Sequence, residues 1–385
     1  MKNVVAFSGG RGSETFLKSW NFKKPFHLDL LINPYDDGLS TGRIRDYVPG
    51  FLGPSDFRKN LVHFLHSNGS LIDSFFASAL EMRINSLHEA EEVLSKFPSN
   101  LIDNTVKFRM ESMLTSLGAF AKYESTRIEK FDYTDCAIGN LVLAGLYLNQ
   151  DWDFQKALSE LLHIFNSKVG IETVSNQNNV SLVAITSNNE FLGREHLIVN
   201  GLYTGAITHL GFIPTSTLLS SNLFDSGIRN QQDLSRIVEY FIQPSSSVSA
   251  RQKLINADLL CYLPGTQNSS LFPSYKILSE DISLSKAQAK VLVMNLTRDH
   301  DMANWKRSDI LLNALLHFGD QSNHRRSITH VLLNSPSNDA SLLDGPIGEM
   351  CNKFKIELVA KQISNISSPS MHNGEAIIET LLDLL

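Results

Sequence analysis

Cysteine is scarce in this chain. The three present, Cys136, Cys261 and Cys351, lie far apart with no CxxC spacing. That argues against a disulfide framework or a thiolate metal site, and for reduced thiols. Long apolar runs are missing too. The longest, 141–148, is well short of the ~20 residues that cross a bilayer, so no membrane partner is expected. Positive charge does not accumulate. The net charge is −6, the pI is about 6.1, and the pairs Lys23-Lys24 and Arg325-Arg326 are too short to track a phosphate backbone, so no nucleic acid is expected. The first residues meet the Gly9-Gly10 pair too soon for a signal-peptide core. A cytoplasmic protein is the expectation. Three common catalytic signatures are also lacking: the GxGxxG dinucleotide turn, the Lys-Ser/Thr of a P-loop, and a nucleophile elbow.

What is present suits a large α/β fold. Of 385 residues, 42% are hydrophobic, enough for one big core or two ordinary ones. Residues 4–7 read as a strand, 8–13 as a glycine-rich turn, and Glu14 begins a helix with Phe16, Leu17 and Trp20 on one face. A second strand falls at 28–32. This is the opening unit of a Rossmann-like, doubly wound, mostly parallel sheet. A helix follows at 55–65, with Ser55 as its expected N-cap. Residues 85–130 are helical by period, opened by the Ser86/Glu89 capping box and interrupted at Pro98. We read 82–130 as a helical insert or cap within a single domain, 1–385. The stretch 138–148 is apolar on all sides and reads as a buried helix. Further strands are expected at 180–185, 197–199, 259–263, 290–295 and 329–334, and helices at 231–240, 250–256, 309–318 and 374–385. Residues 244–249 read as a mobile loop.

Five segments carry polar chemistry. Ser8-Gly9-Gly10-Arg11-Gly12 offers backbone amides to an anion, or is a tight structural turn. Asp36, Asp37 and Gly38, followed by Ser40 and Arg43, join carboxylates suited to a hard cation with a guanidinium suited to phosphate. The same composition is ordinary turn chemistry, and on the segment alone both readings stand. Asp56 and Arg58 lie at a helix start, where Asp56 either favours the helix dipole or faces Asp37. Gly139 and Asn140 open the apolar helix. Gly265, Thr266 and Ser269 follow the strand at 259–263, either to cradle a phosphate or as a turn.

Taken in order, these segments resemble the family of CofD, the 2-phospho-L-lactate transferase of deazaflavin coenzyme biosynthesis, and its relative YvcK. The family's GGGTG resembles residues 8–12, its DDGGSSGRLR residues 36–45, and its PPGDIRN residues 53–59. HSIGNLxLAAL resembles 136–146, GPGSLYTSIxP resembles 263–273, and a strand ending in Asn-Leu resembles 291–296. The likeness spans roughly residues 3–335 and is weakest over 65–130. Departures are Arg11 for Thr, Lys59 for Asn, Cys136 and Ala137 for His-Ser, and Asn268 for Tyr.

The resemblance implies transfer of a phosphate-linked group from a nucleoside diphosphate-activated small-molecule donor to an acceptor hydroxyl, releasing a nucleoside monophosphate. It implies Mg²⁺ at Asp37, supported by Asp36 or Asp56. Gly9, Gly10, Arg11, Gly12 and Ser40 approach the phosphates, and Arg43 and Arg58 neutralise charge. Asn140, after Gly139, bonds a phosphate or the acceptor, and Gly265, Thr266 and Ser269 contact the donor nucleotide. No general base stands out; Asp56 or a metal-bound water is the expectation. A homodimer is also implied. The alternative is a non-catalytic, nucleotide- or nucleotide-sugar-binding regulator of YvcK type.

Overall fold

A computed structural model describes residues 2–10, 12–20, 26–98, 102–220, 228–297, 302, 305–335 and 345–385. The chain divides into two compact units, one of residues 1–35 with 173–385 and one of residues 36–172.

The first unit is built on a parallel sheet, as the strand–turn–helix opening predicts. Six strands run in the order Glu357–Lys361, His330–Asn334, Ala289–Val293, Leu259–Tyr262, Lys2–Ser8, Phe26–Ile32, and every neighbouring pair is parallel. The central strands are buried along their length, which is why they read as continuous apolar runs. A separate antiparallel sheet joins Phe191–Leu192, Val180–Thr186 and Ile207–Pro214. The last of these strands is hidden in the sequence by Gly211. Its missing side chain is where the Phe241 ring lies, 2.2 Å from an added Cβ.

Two expectations change here. The strand expected at 197–199 is a turn of helix, Glu195–Val199; three apolar residues cannot distinguish the two periods. The 244–249 segment is not all loop, because its last two residues begin the Val248–Ile255 helix. Ser247 Oγ accepts from the Ala250 amide at 3.1 Å, capping the Val248–Ile255 helix, and donates to Thr173 O at 2.6 Å.

The second unit is helical. Leu39–Tyr47, Ser55–Ser67, Leu71–Glu81, Leu87–Ser95, Asn104–Ser125, Ile138–Asn149 and Phe154–Ile164 succeed one another, and Arg83–Ile84 pairs antiparallel with Cys136–Ala137. The Ser86 cap and the break near Pro98 fall where the sequence places them. Ile138–Asn149 is buried from residue 138 to 147. Gly145 lets it approach the Asn104–Ser125 helix closely: a Cβ there would sit 1.8 Å from Ser116 O.

Candidate functional site

In the first unit the sheet reverses its direction of growth between Lys2–Ser8 and Leu259–Tyr262. Ligands of open α/β sheets bind outside the carboxyl ends of strands at such a switch. Both expected turns lie there. Ser8 Oγ donates to Gly9 O at 2.7 Å, and Ser13 Oγ to Gly9 O at 3.3 Å. Gly12 serves packing, since an added Cβ would lie 1.9 Å from Pro264 O. Arg11 lies outside the described residues.

The second turn is locked to the end of the Ala289–Val293 strand. The Gly265 amide donates to Asn295 Oδ1 at 3.1 Å, and Asn295 Nδ2 returns a bond to Gly265 O at 3.0 Å. Gln267 Nε2 also donates to Gly265 O at 3.1 Å. Residues Gln267–Leu271 then form one wide π-helical turn, a geometry found mostly at functional sites. Thr266 Oγ1 meets Ser270 Oγ at 3.0 Å, and Asn33 Nδ2 donates to Ser269 O at 2.9 Å. Three buried atoms remain without partners: Asn33 Oδ1, Gln267 Oε1 and Ser269 Oγ. Buried polar atoms are normally satisfied, so such a cluster points to a bound molecule or water. Sequence reasoning had not assigned roles to Asn33, Asn295 or Gln267. The signal for the first two was their position just past a strand end.

The second unit gathers the acidic segment and the two motifs after it. Ser55, expected as an N-cap, is the first helical residue after Pro54, and its Oγ does not cap. It meets Thr41 Oγ1 and accepts from Asn140 Nδ2 at 3.2 Å. Thr41, Ser55 and Asn140 each lie in the first turn of a different helix, and none of the three helices has a side-chain cap. Three helix N-termini therefore meet, none of them closed by the side chain of its N-cap residue.

The charged residues of this unit differ in how fully they are partnered. Asp37 is buried, and its carbonyl packs against Gly42, 2.4 Å from an added Cβ. Asp36 Oδ1 accepts from the Gly38 amide at 3.0 Å. Burial raises the Asp36 pKa, and the Asp56 charge adds to the rise. Lys59 Nζ sits 2.8 Å from Asp56 Oδ1, and chiefly through Asp56 the Lys59 pKa is raised. Arg58 is 3% exposed, yet its Nε and Nη1 have no hydrogen-bond partner. Burial pulls its pKa down to about 10, helped by the Arg83 charge. Asn140 Oδ1 is likewise buried and unpartnered. Gly139 makes room for Arg58, whose Cγ and Cδ would lie 2.8 Å from an added Cβ. Ser40 Oγ receives Arg83 Nη1 at 3.3 Å. Arg43 is held by the 132–134 loop, donating from Nε to Asp132 O at 3.2 Å and from Nη2 to Thr134 O. Arg83 and Lys59 were not assigned roles from sequence. Arg83 belongs to no motif, and Lys59 enters the 53–59 motif only as a departure, at an i,i+3 spacing from Asp56.

Among the described residues, no three histidine, cysteine or carboxylate side chains are placed to hold a metal together, and no helix is long and apolar enough to cross a membrane.

Residues 4–369 match the family model described as 2-phospho-L-lactate transferase CofD. No curated protein matches the chain. Among solved structures, the crystal structure of protein BH3568 from Bacillus halodurans superposes with a TM-score of 0.67 at 18% identity, covering 99% of both chains. A second structure of BH3568, described as a member of the UPF0052 family, gives a TM-score of 0.66 at 18% identity, covering 99% of this chain and 98% of that one. At this identity the likeness is one of fold.

Proposed function

This chain belongs to the CofD family, and from that premise we propose that it is a Mg²⁺-dependent transferase. It moves a phosphate-linked group from a nucleoside diphosphate-activated donor to an acceptor hydroxyl and releases a nucleoside monophosphate. The observation that carries this reading is the meeting of three uncapped helix N-termini beside a buried, unpartnered Arg58 and the Asp36-Asp37 pair. Phosphoryl chemistry asks for positioned donors and charge neutralisation more than for a covalent nucleophile, and these residues supply both.

The acidic pair suits a hard cation. Burial and the Asp56 charge raise the Asp36 pKa, a strain that a divalent ion relieves. Mg²⁺ needs only one or two protein carboxylates and keeps several waters. Asp37 and Asp36 would hold it, and the ion would neutralise charge on phosphate oxygens. Arg58 donates to the transferred group through Nε and Nη1, and Asn140 orients it. Within the first unit, taken by itself, Gly9 and Gly10 suit a phosphate, and the unpartnered atoms of Asn33, Gln267 and Ser269 suit a nucleoside.

A second reading, a non-catalytic nucleotide-binding regulator, is favoured by one observation. Asp56 is tied to Lys59 at 2.8 Å, which takes away the nearest candidate base. A thermal-shift screen of nucleoside diphosphates and their sugar derivatives, with and without Mg²⁺, addresses both. If none stabilises the protein, both readings fail. With a binder in hand, release of monophosphate on adding a hydroxyl acceptor separates them. Asp37→Asn should abolish that turnover, and an unchanged rate removes Asp37 from the metal role.

A further inference from the structure

The start of the Ile138–Asn149 helix holds more positive charge than its motif announces. Its N-cap, Ala137, supplies no side-chain bond. The Ile138 amide donates to Met82 O at 3.0 Å, while the amides of Gly139 and Asn140 have no capping side chain. Across Gly139 lies the stem of Arg58. Its guanidinium is almost wholly buried and leaves two nitrogens without partners. A buried guanidinium without an acceptor is expensive to maintain unless a ligand supplies one.

A second guanidinium stands close by. Arg83 pairs with Ala137 in the short antiparallel ladder. Its Nη1 donates to Asp135 O at 2.9 Å and to Ser40 Oγ at 3.3 Å, in the first turn of the Leu39–Tyr47 helix. After burial, the Arg83 charge is the strongest influence lowering the Arg58 pKa, so the two cations feel one another. Of the surrounding acids, Asp56 is paired with Lys59 and Asp36 accepts from the Gly38 amide, while the Asp135 carboxylate lies 3.8 Å from Arg83 itself. Glu81, Asp56 and Asp36 lend Arg58 some counter-charge, but none of them accepts a hydrogen bond from its Nε or Nη1. Arg43, the guanidinium expected here from the sequence, is bound to the 132–134 carbonyls instead.

We infer that Arg58, Arg83 and the Gly139 and Asn140 amides form a binding site for a small oxyanion, the phosphate group of a phosphorylated ligand, with Arg83 setting its affinity. The planar fork of arginine and the free amides of a helix start are both matched to phosphate oxygens. The inference rests on the reading of Arg58 as ligand-facing. It adds Arg83 as a recognition residue and does not depend on transfer taking place.

The test uses the full chain and inorganic phosphate, titrated calorimetrically against a chloride reference of equal ionic strength. The wild type should bind saturably. Arg83→Gln should weaken binding on the order of tenfold, and Arg83→Lys, a point charge without the fork, by less. The melting temperature of each unliganded variant reports its folding; if Arg83→Gln does not fold, the weakening in Arg83→Lys decides. Absence of binding in the wild type overturns the inference. So does equal affinity in all three proteins, because phosphate would then be bound elsewhere, such as the Ser8–Gly12 turn. Arg83-dependent phosphate binding without any nucleotide binding would sink the transferase reading alone. Nucleotide binding with Arg83-independent phosphate binding would sink this inference alone.

Discussion

Asn140 donates to Ser55 Oγ at 3.2 Å, and the same oxygen meets Thr41 Oγ1, so one chain of three polar side chains ties together the first turns of three helices. All three residues are buried. Asn140→Ala should destabilise the protein by about 1–3 kcal/mol, because Ser55 loses a donor in a dry environment. Ser55→Ala should cost a similar amount. Residues that share one network are not independent, so the double variant should fall short of the sum by ~0.5 kcal/mol or more. Urea denaturation of the four proteins measures this, and strict additivity would show that the chain is not a unit.

Two glycines, one packed against the Asn104–Ser125 helix and one within it, should respond in opposite directions. Gly145→Ala drives a methyl into Ser116 O, 1.8 Å from the new carbon. Backbone cannot yield cheaply, and a loss of about 1–3 kcal/mol is expected. Gly118, within Asn104–Ser125, has nothing within 4 Å of an added Cβ. Gly118→Ala should therefore stabilise by ~0.4–1 kcal/mol through helix propensity and chain entropy. Thermal or urea unfolding gives both signs, and a destabilised Gly118→Ala would contradict this packing.

Arg109 and Asp73 form a buried ion pair, Nη1 to Oδ1 at 2.6 Å, with the guanidinium over the Phe76 and Phe165 rings. Removing one partner leaves a buried charge without compensation, which typically costs about 3–5 kcal/mol. Asp73→Ala should show a loss of that order. Replacing both partners together with apolar residues, as in Asp73→Leu with Arg109→Met, should recover much of it. Equal losses in the single and double variants would argue that the cost is one of shape rather than charge.

Stability should fall at both ends of the pH scale through one cluster in the first unit. The hydrogen bond that His27 donates to the Asp29 carboxylate raises the His27 pKa above 6.5. That contribution is full below 6.5 and is lost as pH rises through the higher folded value. For Asp29, burial pushes the pKa up, but hydrogen bonds from His27 and from Lys253, at 2.8 Å, outweigh it and bring it below 3.8. Its contribution is full above 3.8 and is lost as pH falls through the lower folded value. His27→Gln should remove the loss just above pH 6.5 and keep most of the acid loss. Denaturant midpoints measured across pH are the readout, and an unchanged alkaline slope in His27→Gln would rule out this assignment.

Much of the first unit was legible in the sequence because its strands are buried on both faces and read as short apolar blocks between turns. Leu259–Tyr262 and His330–Asn334 fall within a residue of where they are expected. The strands that escaped lack that signature. Glu357–Lys361 is only partly buried, and Ile207–Pro214 is broken by Gly211. The residues of the acidic, Asp56-Arg58 and Gly139-Asn140 segments were legible as chemistry, but their connections were not. That Ser55 would link Thr41 to Asn140 depends on three helices separated by long stretches of chain. Arg43 and Arg83 show the same limit. Both are arginines near small polar residues, and only the fold shows that the first is held by the 132–134 carbonyls while the second stands beside Arg58.

The two turns at the switch of the parallel sheet differ in what evolution can do with them. Position 12 has no room for any side chain, because Pro264 O already fills the space. Position 265 is open: an added Cβ would touch only the Leu271 side chain, at 3.6 Å. Drift is therefore closed to the first turn at this point and permitted in the second. A lineage built on this scaffold can therefore vary the side chain at residue 265 while residue 12 stays glycine, so sequence change should collect in the second turn rather than at residue 12.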